Sequence, residues 1–427
     1  MRKLNPVLRI ALTANTFEYY EFTLSGFMAL EIGRLFFPQT GDKSAVILSF
    51  AVFAASYLTR PMGGVLLGWM GNRYGAGRVL KLSVTLMAIP TVLIAFLPTY
   101  QYSGYWATGL LIALKMVQGI AMGGEVPLNL SYVSENTVGK NRGLYFACAC
   151  TSGFLGTLLA SLLVLMLPSI VSMLSLYLPD AIAHTRLSEA WRWPFLLSIP
   201  LSLWVMWIRA SISEVSADRH TLDRTPRSRP IAPLLQATVL VAFLEVNLYT
   251  VFVWLPNYLH LYLGVELSEA RELNVITLVV LSIAILCNGY LSRWIEASKI
   301  AFFSVCAMLL STYPLFVLLQ NGDFLSLLWV HLAFAFVGSG LLAMFYLVLA
   351  DLFKDNWKSL GLGIGFSVPT AVFGGTAPLA CSYLLKYTEV LTVPALYIVA
   401  MGLPALPVAY RLAFPQGERS ASASMAV

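Results

Sequence analysis

The stretch RPMGGVLLGWMGNRYGAGRVL, from Arg60 to Leu80, joins two long apolar segments through a short loop that carries Arg73 and Arg78. Apolar segments of this kind dominate the chain. Of its 427 residues, 58% are hydrophobic and only 11% are charged, and the mean hydropathy is +0.76. Because soluble proteins carry about a quarter charged residues, a chain of this length could not bury so much apolar surface in water. The sequence predicts an all-α membrane protein and excludes a water-soluble enzyme.

The apolar segments are long enough to cross a bilayer, which takes a helix of about 20 residues. Twelve such spans are predicted, at 9–36, 45–70, 79–98, 106–132, 144–167, 193–213, 234–262, 273–292, 300–319, 324–350, 361–385 and 392–411. The largest polar insertion falls between the sixth and the seventh. We therefore predict two six-helix pseudo-symmetric halves, residues 1–213 and 234–427, joined by a cytoplasmic linker at 214–233; such internal repeats are common in transporters.

The basic residues give an independent test of this topology, because loops on the cytoplasmic side carry an excess of Lys and Arg. With the N-terminus inside, 19 of the 27 basic residues lie on the inner side and six on the outer side. The remaining two, Arg60 and Lys115, lie within spans. This asymmetry predicts that both termini are cytoplasmic, that the number of spans is even, and that the protein resides in the cell (inner) membrane.

Several other functions find no support in the sequence. The five cysteines have neither zinc-site nor disulfide spacing, and no GxxxxGK[ST] phosphate loop is present. The net charge of +6 is distributed over membrane loops, so we expect no nucleic-acid partner. We also expect no metal and no cofactor, and a chain that functions as a monomer in the lipid bilayer.

Three motifs resemble the major facilitator superfamily in the form found in its metabolite:proton symporter branch. The first is the Arg60–Leu80 stretch, the second is KMVQGIAMGGE at Lys115–Glu125, and the third is NTFEYYEF at Asn15–Phe22. Three shorter matches are WRWPF (Trp191–Phe195), WLPNYL (Trp254–Leu259) and FGGTAP (Phe373–Pro378). The resemblance implies the major facilitator fold and a secondary active transporter. Members of this branch carry osmolytes, amino-acid-like zwitterions and carboxylates.

The chain departs from the family pattern in the loop between spans two and three. Asn72 occupies the position of the usual acidic residue, and Ala76 replaces an arginine, which leaves Arg73 and Arg78. In the family this loop is thought to lock the two halves through charge pairs. We therefore assign Asn72, Arg73 and Arg78 to gating and expect a weaker latch.

Charged side chains within the spans are the strongest sign of function in the sequence, since each costs roughly 2.5–3.5 kcal/mol at the centre of a bilayer. At about 1.5 Å per residue, Glu18, Glu21 and Lys115 reach the midplane, whereas Arg60 and Glu125 lie in the inner half. We predict two clusters. Glu18, Glu21 and Lys115 form a midplane site with Asn15 on the same helical face. Arg60, Glu125 and Arg142 form an inner structural lock.

Two further groups lie in the second half of the chain. Glu245 is about 16 Å into span seven, at the position related by symmetry to span one, and His331 on span ten is expected to reach it. For both residues, the alternative to a functional role is a structural one, as hydrogen-bonded side chains of the core. We assign them, with Glu18 and Glu21, to proton coupling.

These residues predict a proton-coupled symporter that imports a small zwitterionic or carboxylate metabolite by alternating access. Lys115 is expected to attract a substrate carboxylate, with Asn15, Tyr19 and Gln118 as polar walls. Two alternatives stay open at this point. One is a proton-coupled exporter of a drug or metabolite, although the stretch CACTSGFLGTLLAS (Cys148–Ser161) in span five lacks the proline of antiporter motifs. The other is an importer of a polycarboxylate such as a siderophore.

Overall fold

The computed structural model describes residues 6–74, 76–137, 139–176, 189–210, 231–353 and 358–415, and they form an assembly of helices. The helices are α1 (Pro6–Phe27), α2 (Ala29–Phe36), α3 (Asp42–Leu58), α4 (Arg60–Tyr74), α5 (Ala76–Phe96), α6 (Tyr100–Ser103), α7 (Tyr105–Asn136), α8 (Arg142–Ser175), α9 (Trp193–Leu196), α10 (Ser198–Ala210), α11 (Ile231–Tyr249), α12 (Leu255–Leu263), α13 (Leu267–Leu291), α14 (Ala297–Leu318), α15 (Phe324–Leu352), α16 (Lys358–Pro369), α17 (Thr376–Thr388), α18 (Val393–Gly402) and α19 (Ala405–Ala413).

Each predicted span coincides with one helix or with a run of successive helices. In the described part of the chain, eight helices are long and apolar enough to cross a membrane, or nine if α18 and α19, which meet at a 42° bend, count as one span. Within the described residues of the third predicted span, Leu82–Phe96 is an apolar helix that is shorter than a full crossing. The chain is therefore a multi-span, all-helical membrane protein, and the count of twelve stays a prediction.

Several spans contain an interruption of regular α-helix where hydropathy predicted one continuous helix. In the first span it lies between α1 and α2, and in the second it lies at Thr59, between α3 and α4. Two spans contain a π-helical turn, Thr250–Trp254 between α11 and α12 and Thr370–Gly374 between α16 and α17. In such turns the backbone hydrogen bonds depart from the regular α-helical pattern, and π-helical turns are frequent at functional sites.

One predicted boundary lies too early, because span five continues past residue 167 to Ser175 with Pro168 inside the helix. The start of α15 has a clear local cause. The Asp323 carboxylate accepts a hydrogen bond from the Ser326 N–H at 3.0 Å and caps the helix. Hydrogen bonding to Ser326 holds the pKa of Asp323 below its usual value.

Glycines bring α7 into backbone contact with the second span. A Cβ added to Gly119 would lie 1.7 Å from the Ser56 carbonyl oxygen, and one added to Gly123 would lie 1.9 Å from the Arg60 carbonyl oxygen. The GxxxG spacing thus serves helix packing. It also fixes the backbone of Arg60 against α7.

The first and second parts of the chain meet along two seams. Along one, α8 packs on α13, where the Asn274 amide donates to Ser161 Oγ at 3.0 Å. Along the other, α3 packs on α17, and a Cβ added to Gly375 would lie 2.3 Å from the Tyr57 ring. The predicted linker 214–233 lies almost wholly outside the described residues. The two seams leave α1, α8, α11 and α15 facing a common central space.

Candidate functional site

The central space is a narrow cavity of about 30 Å³. It has room for about two water molecules, so a metabolite enters only if the surrounding helices move apart. Six aromatic side chains belong to its walls: Tyr19, Phe154, Tyr249, Phe252, Phe345 and Tyr346. Asn15, Thr23, Thr157 and Glu245 supply polar atoms. An apolar pocket with a few placed polar groups is the usual form of a small-molecule site.

Asn15 and Tyr19, two of the predicted substrate contacts, lie on the α1 wall of this cavity. The Asn15 side-chain nitrogen donates to Ser152 Oγ at 2.8 Å and to the Ala149 carbonyl at 3.3 Å. Tyr19 interacts with Tyr346 across the cavity. Both residues are thus held in position by the opposite helices, and their contact with substrate remains a prediction.

Glu245 supplies the carboxylate of the cavity lining. The side chain is buried, at 4% exposure, and its Oε1 accepts a hydrogen bond of 3.0 Å from the Thr370 hydroxyl. Thr370 begins the π-helical turn of the span formed by α16 and α17. This turn therefore orients the carboxylate, a connection that the sequence did not reveal.

The predicted contact between Glu245 and His331 is wrong. Among the described residues no hydrogen bond or ion pair joins them. His331 Nδ1 lies 2.8 Å from the Leu327 carbonyl oxygen, one turn back on its own helix, and the ring is buried away from the cavity lining. Histidines in helices can pair with their own backbone, so depth in the membrane alone did not identify a partner.

The predicted inner lock of Arg60, Glu125 and Arg142 stays a prediction, because the side chain of its acid, Glu125, lies outside the described part of the chain. Arg142 pairs with Asp351 on α15 at 2.6 Å. The Arg60 guanidinium stacks 3.8 Å from the Tyr57 ring centroid and 4.4 Å from that of Phe22. The side chains of four predicted gating residues lie outside the described part: Asn72, Arg73, Arg78 and Glu125.

Arg60 instead belongs to the border of the central cavity. It interacts electrostatically with Tyr19, Tyr249 and Glu245, all of which line that cavity. Its close packing with Gly123 on the backbone side directs the long side chain toward this space. These neighbours of Arg60 were not predicted from the sequence.

The predicted midplane site divides into two. Glu21 and Lys115 interact electrostatically and are buried, at 4% and 1% exposure, but neither lines the cavity. Glu21 accepts a hydrogen bond from Ser202 on α10 at 2.8 Å. Gln118, predicted as a cavity wall, is also buried elsewhere, where its amide donates to Thr91 on α5 at 2.6 Å.

Helix geometry explains this division. At 3.6 residues per turn, a step of three residues turns about 60° short of a full circle, so Asn15 and Glu21 point in different directions. Residues four apart stay better aligned, and Asn15, Tyr19 and Thr23 form the cavity stripe. The expectation that Asn15, Glu18 and Glu21 share one face is therefore wrong. Glu18 is buried and lies outside the cavity lining.

Lys115 is absent from the cavity lining for a related reason. It lies on the face of α7 that carries Gly119 and Gly123, and that face packs on α3 and α4. In the described part of the structure its Nζ has no hydrogen-bond partner. The expected role of Lys115 as the substrate-carboxylate anchor is thus not supported by its position, while its interaction with Glu21 agrees with the predicted pairing.

An ion pair lies at each end of the central space. At the end that the charge bias predicts to be external, Arg271 on α13 pairs with Glu31 on α2. At the predicted cytoplasmic end, Arg142 on α8 pairs with Asp351 on α15. Each pair joins the first part of the chain to the second. Arg271 is one of the six basic residues assigned to the outer side, and its partner could not be predicted because pairing across distant segments leaves no local signal.

A multi-span helical bundle with a closed polar and aromatic cavity, bordered by buried charges, defines a membrane transporter. No group of three His, Cys, Asp or Glu side chains in the described residues could hold a metal ion. The chain belongs to the Major Facilitator Superfamily, whose family profile matches residues 12–380. It is a membrane transporter and not an enzyme.

Curated relatives match nearly the whole chain. The ectoine/proline transporter of Corynebacterium glutamicum is 30% identical, over 93% of this chain and 82% of its own length. The shikimate transporter of Escherichia coli is 28% identical, over 87% of this chain and 85% of its own length. These relatives confirm the resemblance inferred from the motifs.

Among solved structures, the xylose transporter of Escherichia coli in a partially occluded inward-open conformation aligns with a TM-score of 0.74. The alignment covers 97% of this chain and 98% of that protein, at 14% sequence identity. At this identity the likeness concerns the fold alone, and it agrees with the predicted major facilitator fold.

Proposed function

We propose that the protein is a proton-coupled symporter that imports a small zwitterionic or carboxylate metabolite by alternating access. In this proposal it spans the cell (inner) membrane twelve times, with both termini in the cytoplasm, and functions as a monomer. Its two six-helix halves, residues 1–213 and 234–427, rock about the central cavity. The linker at 214–233 joins them on the cytoplasmic side.

The observation that carries the proposal is the central cavity itself. Its lining combines the Glu245 carboxylate with six aromatic side chains, and aromatic faces attract substituted ammonium groups. The guanidinium of Arg60 at its border offers a partner for a carboxylate. This composition favours a solute with both charges, in keeping with relatives named as transporters of proline, betaine and ectoine. The shikimate transporter among the relatives keeps carboxylates in the proposal.

Proton coupling is assigned to Glu21 and Lys115. An acid and a base buried together within a helical bundle persist in a membrane when they serve transport or proton transfer. Neither residue belongs to the cavity stripe of α1 (Asn15, Tyr19 and Thr23). In this proposal the proton path is therefore separate from the solute site. Glu18 on the same helix is the second candidate carrier.

The two end pairs are assigned to alternating access. Arg271–Glu31 closes the outer end and Arg142–Asp351 closes the inner end, and the small cavity between them corresponds to a closed intermediate. Opening one end requires that one pair breaks while the other stays formed. The solute is then exposed to one side of the membrane at a time.

Uptake into proteoliposomes tests the function. Radiolabelled glycine betaine, proline and shikimate are supplied outside, with the lumen made alkaline relative to the medium. We expect accumulation of at least one of these solutes above its external concentration, abolished by a protonophore. Accumulation that ignores both the pH gradient and the protonophore would contradict symport. Efflux driven by an inward proton gradient would instead support an exporter, and selective uptake of citrate-based siderophores would support a polycarboxylate importer.

A further inference from the structure

We infer that Arg60 and Glu245 together bind one zwitterion, with Arg60 holding its carboxylate and Glu245 holding its ammonium group. In the closed structure these side chains interact with each other, and the solute takes the place of that interaction. The inference deepens the proposed function and rests on it. It also moves the carboxylate anchor from Lys115, predicted from sequence, to Arg60.

The Arg60 guanidinium is poised for an anion. The side chain is 4% exposed, and its guanidinium carbon lies 3.8 and 4.4 Å from the ring centroids of Tyr57 and Phe22. Its Nη2 lies 3.4 Å from the sulfur of Met122, a weak acceptor. Among the described residues its Nε has no hydrogen-bond partner. Tyr249 also hydrogen-bonds to the guanidinium, so a carboxylate binds here by replacing these uncharged partners with two charge-assisted hydrogen bonds.

The Glu245 carboxylate is equally well positioned. Thr370 donates to its Oε1, which leaves Oε2 for a second partner. Gly374 makes room beside it, because a Cβ at that position would lie 3.0 Å from Glu245 Oε2. The carboxylate lines the aromatic cavity, so an ammonium group bound there would be surrounded by ring faces.

The two side chains lie near each other: Glu245 lines the cavity, and Arg60 lies beside residues that line it. A Cβ built on Gly374 would lie 3.0 Å from Glu245 Oε2 and 3.3 Å from the ring of Tyr57. The Arg60 guanidinium packs against that same ring. Tyr249, one helical turn beyond Glu245, packs on Tyr57 with ring centroids 5.2 Å apart. Glu245 and Arg60 also interact electrostatically.

The selectivity follows from charge balance. Without solute, the two buried charges compensate each other. A zwitterion inserted between them gives each charge a new partner and leaves none alone. A cation or an anion of the same shape would leave one buried charge without a partner, which is strongly unfavourable. Because Arg60 comes from α4 and Glu245 from α11, binding by both also ties the two parts of the chain together.

The test compares three compounds of nearly equal shape on purified protein in detergent. Glycine betaine carries both charges, choline lacks the carboxylate, and 3,3-dimethylbutanoate has carbon in place of the charged nitrogen. Dissociation constants are measured by isothermal titration calorimetry for the wild type, Arg60→Gln and Glu245→Gln. Thermal unfolding verifies that each variant is folded. Arg34→Gln, which removes an exposed arginine paired with Asp42, is the matched control.

We expect the wild type and Arg34→Gln to prefer glycine betaine by at least about tenfold. In Arg60→Gln and Glu245→Gln, glycine betaine should no longer be the most tightly bound compound. Arg60→Gln should bind choline at least as well as betaine, and Glu245→Gln should bind 3,3-dimethylbutanoate at least as well as betaine. Arg60→Lys keeps the positive charge but loses the planar guanidinium that binds both carboxylate oxygens. It should retain the preference for glycine betaine at reduced affinity.

The outcomes separate this inference from the proposed function. If the wild type prefers betaine but folded Arg60→Gln and Glu245→Gln keep the wild-type order, or lose all three compounds equally, the residue assignment is overturned and the symporter proposal stands. A wild type that binds none of the three, or prefers a singly charged compound, overturns the zwitterion site itself.

Discussion

The substitution Gly123→Ala tests how closely the packing of α7 controls the binding site. The added Cβ would lie 1.9 Å from the Arg60 carbonyl oxygen and 2.7 and 2.8 Å from its carbonyl carbon and Cα. Real Cβ contacts are essentially never below 3.0 Å, and the neighbours are backbone atoms that no side-chain rotation can move. We therefore expect α4 and α7 to separate by about 1 Å at this point.

The cost follows from that displacement. Overpacking of a tight helix contact typically costs about 1–3 kcal/mol, so the thermal midpoint should fall. The displacement also acts directly on Arg60, whose guanidinium stacks on its rings at 3.8 and 4.4 Å. Since misplacing a binding group by about 1 Å can cost up to ~100-fold, the affinity for glycine betaine should fall by about 10- to 100-fold.

The assay combines thermal unfolding with calorimetric titration of glycine betaine. Gly109→Ala is the matched control, because Gly109 lies on the same helix and an added Cβ there meets no atom within 4 Å. It should leave both quantities at the wild-type value or raise the midpoint slightly through helix propensity. If Gly123→Ala also keeps the wild-type midpoint and affinity, then the position of Arg60 does not depend on this contact and the reasoning is refuted.

Two further predictions concern coupling and gating. Glu21→Gln should abolish pH-driven accumulation in proteoliposomes while sparing counterflow exchange, because it removes the proposed proton carrier but not the cavity; unaltered accumulation would exclude that role. Arg271→Gln should increase the population that is open at the outer end about tenfold, since the side chains of Arg271 and Glu31 are only 10% and 30% exposed. Distances between spin labels at the outer end measure this population. Arg142→Gln should change the inner-end population less than about fivefold, since Asp351 is 53% exposed; an equal or larger effect than that of Arg271→Gln would contradict the ranking.

The sequence predicted the positions of the helices along the chain well. It did not predict which face of each helix is turned toward the cavity. Membrane burial is recorded in the length of apolar runs, so the predicted spans coincide with helices or helix runs. The breaks at Thr59 and in the two π-helical turns left no clear mark in hydropathy. A single helix such as α1 shows the harder problem. Asn15 and Tyr19 face the cavity, whereas Glu21, only two residues further, faces Lys115 inside the bundle.

The site was predicted in composition more than in arrangement. Charges within spans identified Glu21, Lys115, Arg60 and Glu245, because each is costly unless partnered. Their partners depend on contacts between distant segments, which one sequence does not encode locally. Arg60 borders the cavity near Glu245 and packs with its backbone on Gly123, whereas its expected pairing with Glu125 stays a prediction. Thr370 was missed, although FGGTAP in its span had already been noted as a family motif.

The central claim, that a proton accompanies a zwitterion inward, is tested most directly by solid-supported membrane electrophysiology. A glycine betaine jump is applied to proteoliposomes in sodium-free buffer. Because the solute carries no net charge, symport predicts a transient current of positive charge into the vesicles, enlarged by external acidification and lost in Glu21→Gln. A bound and transported solute that produces no current, or a current in the opposite direction, would contradict the account.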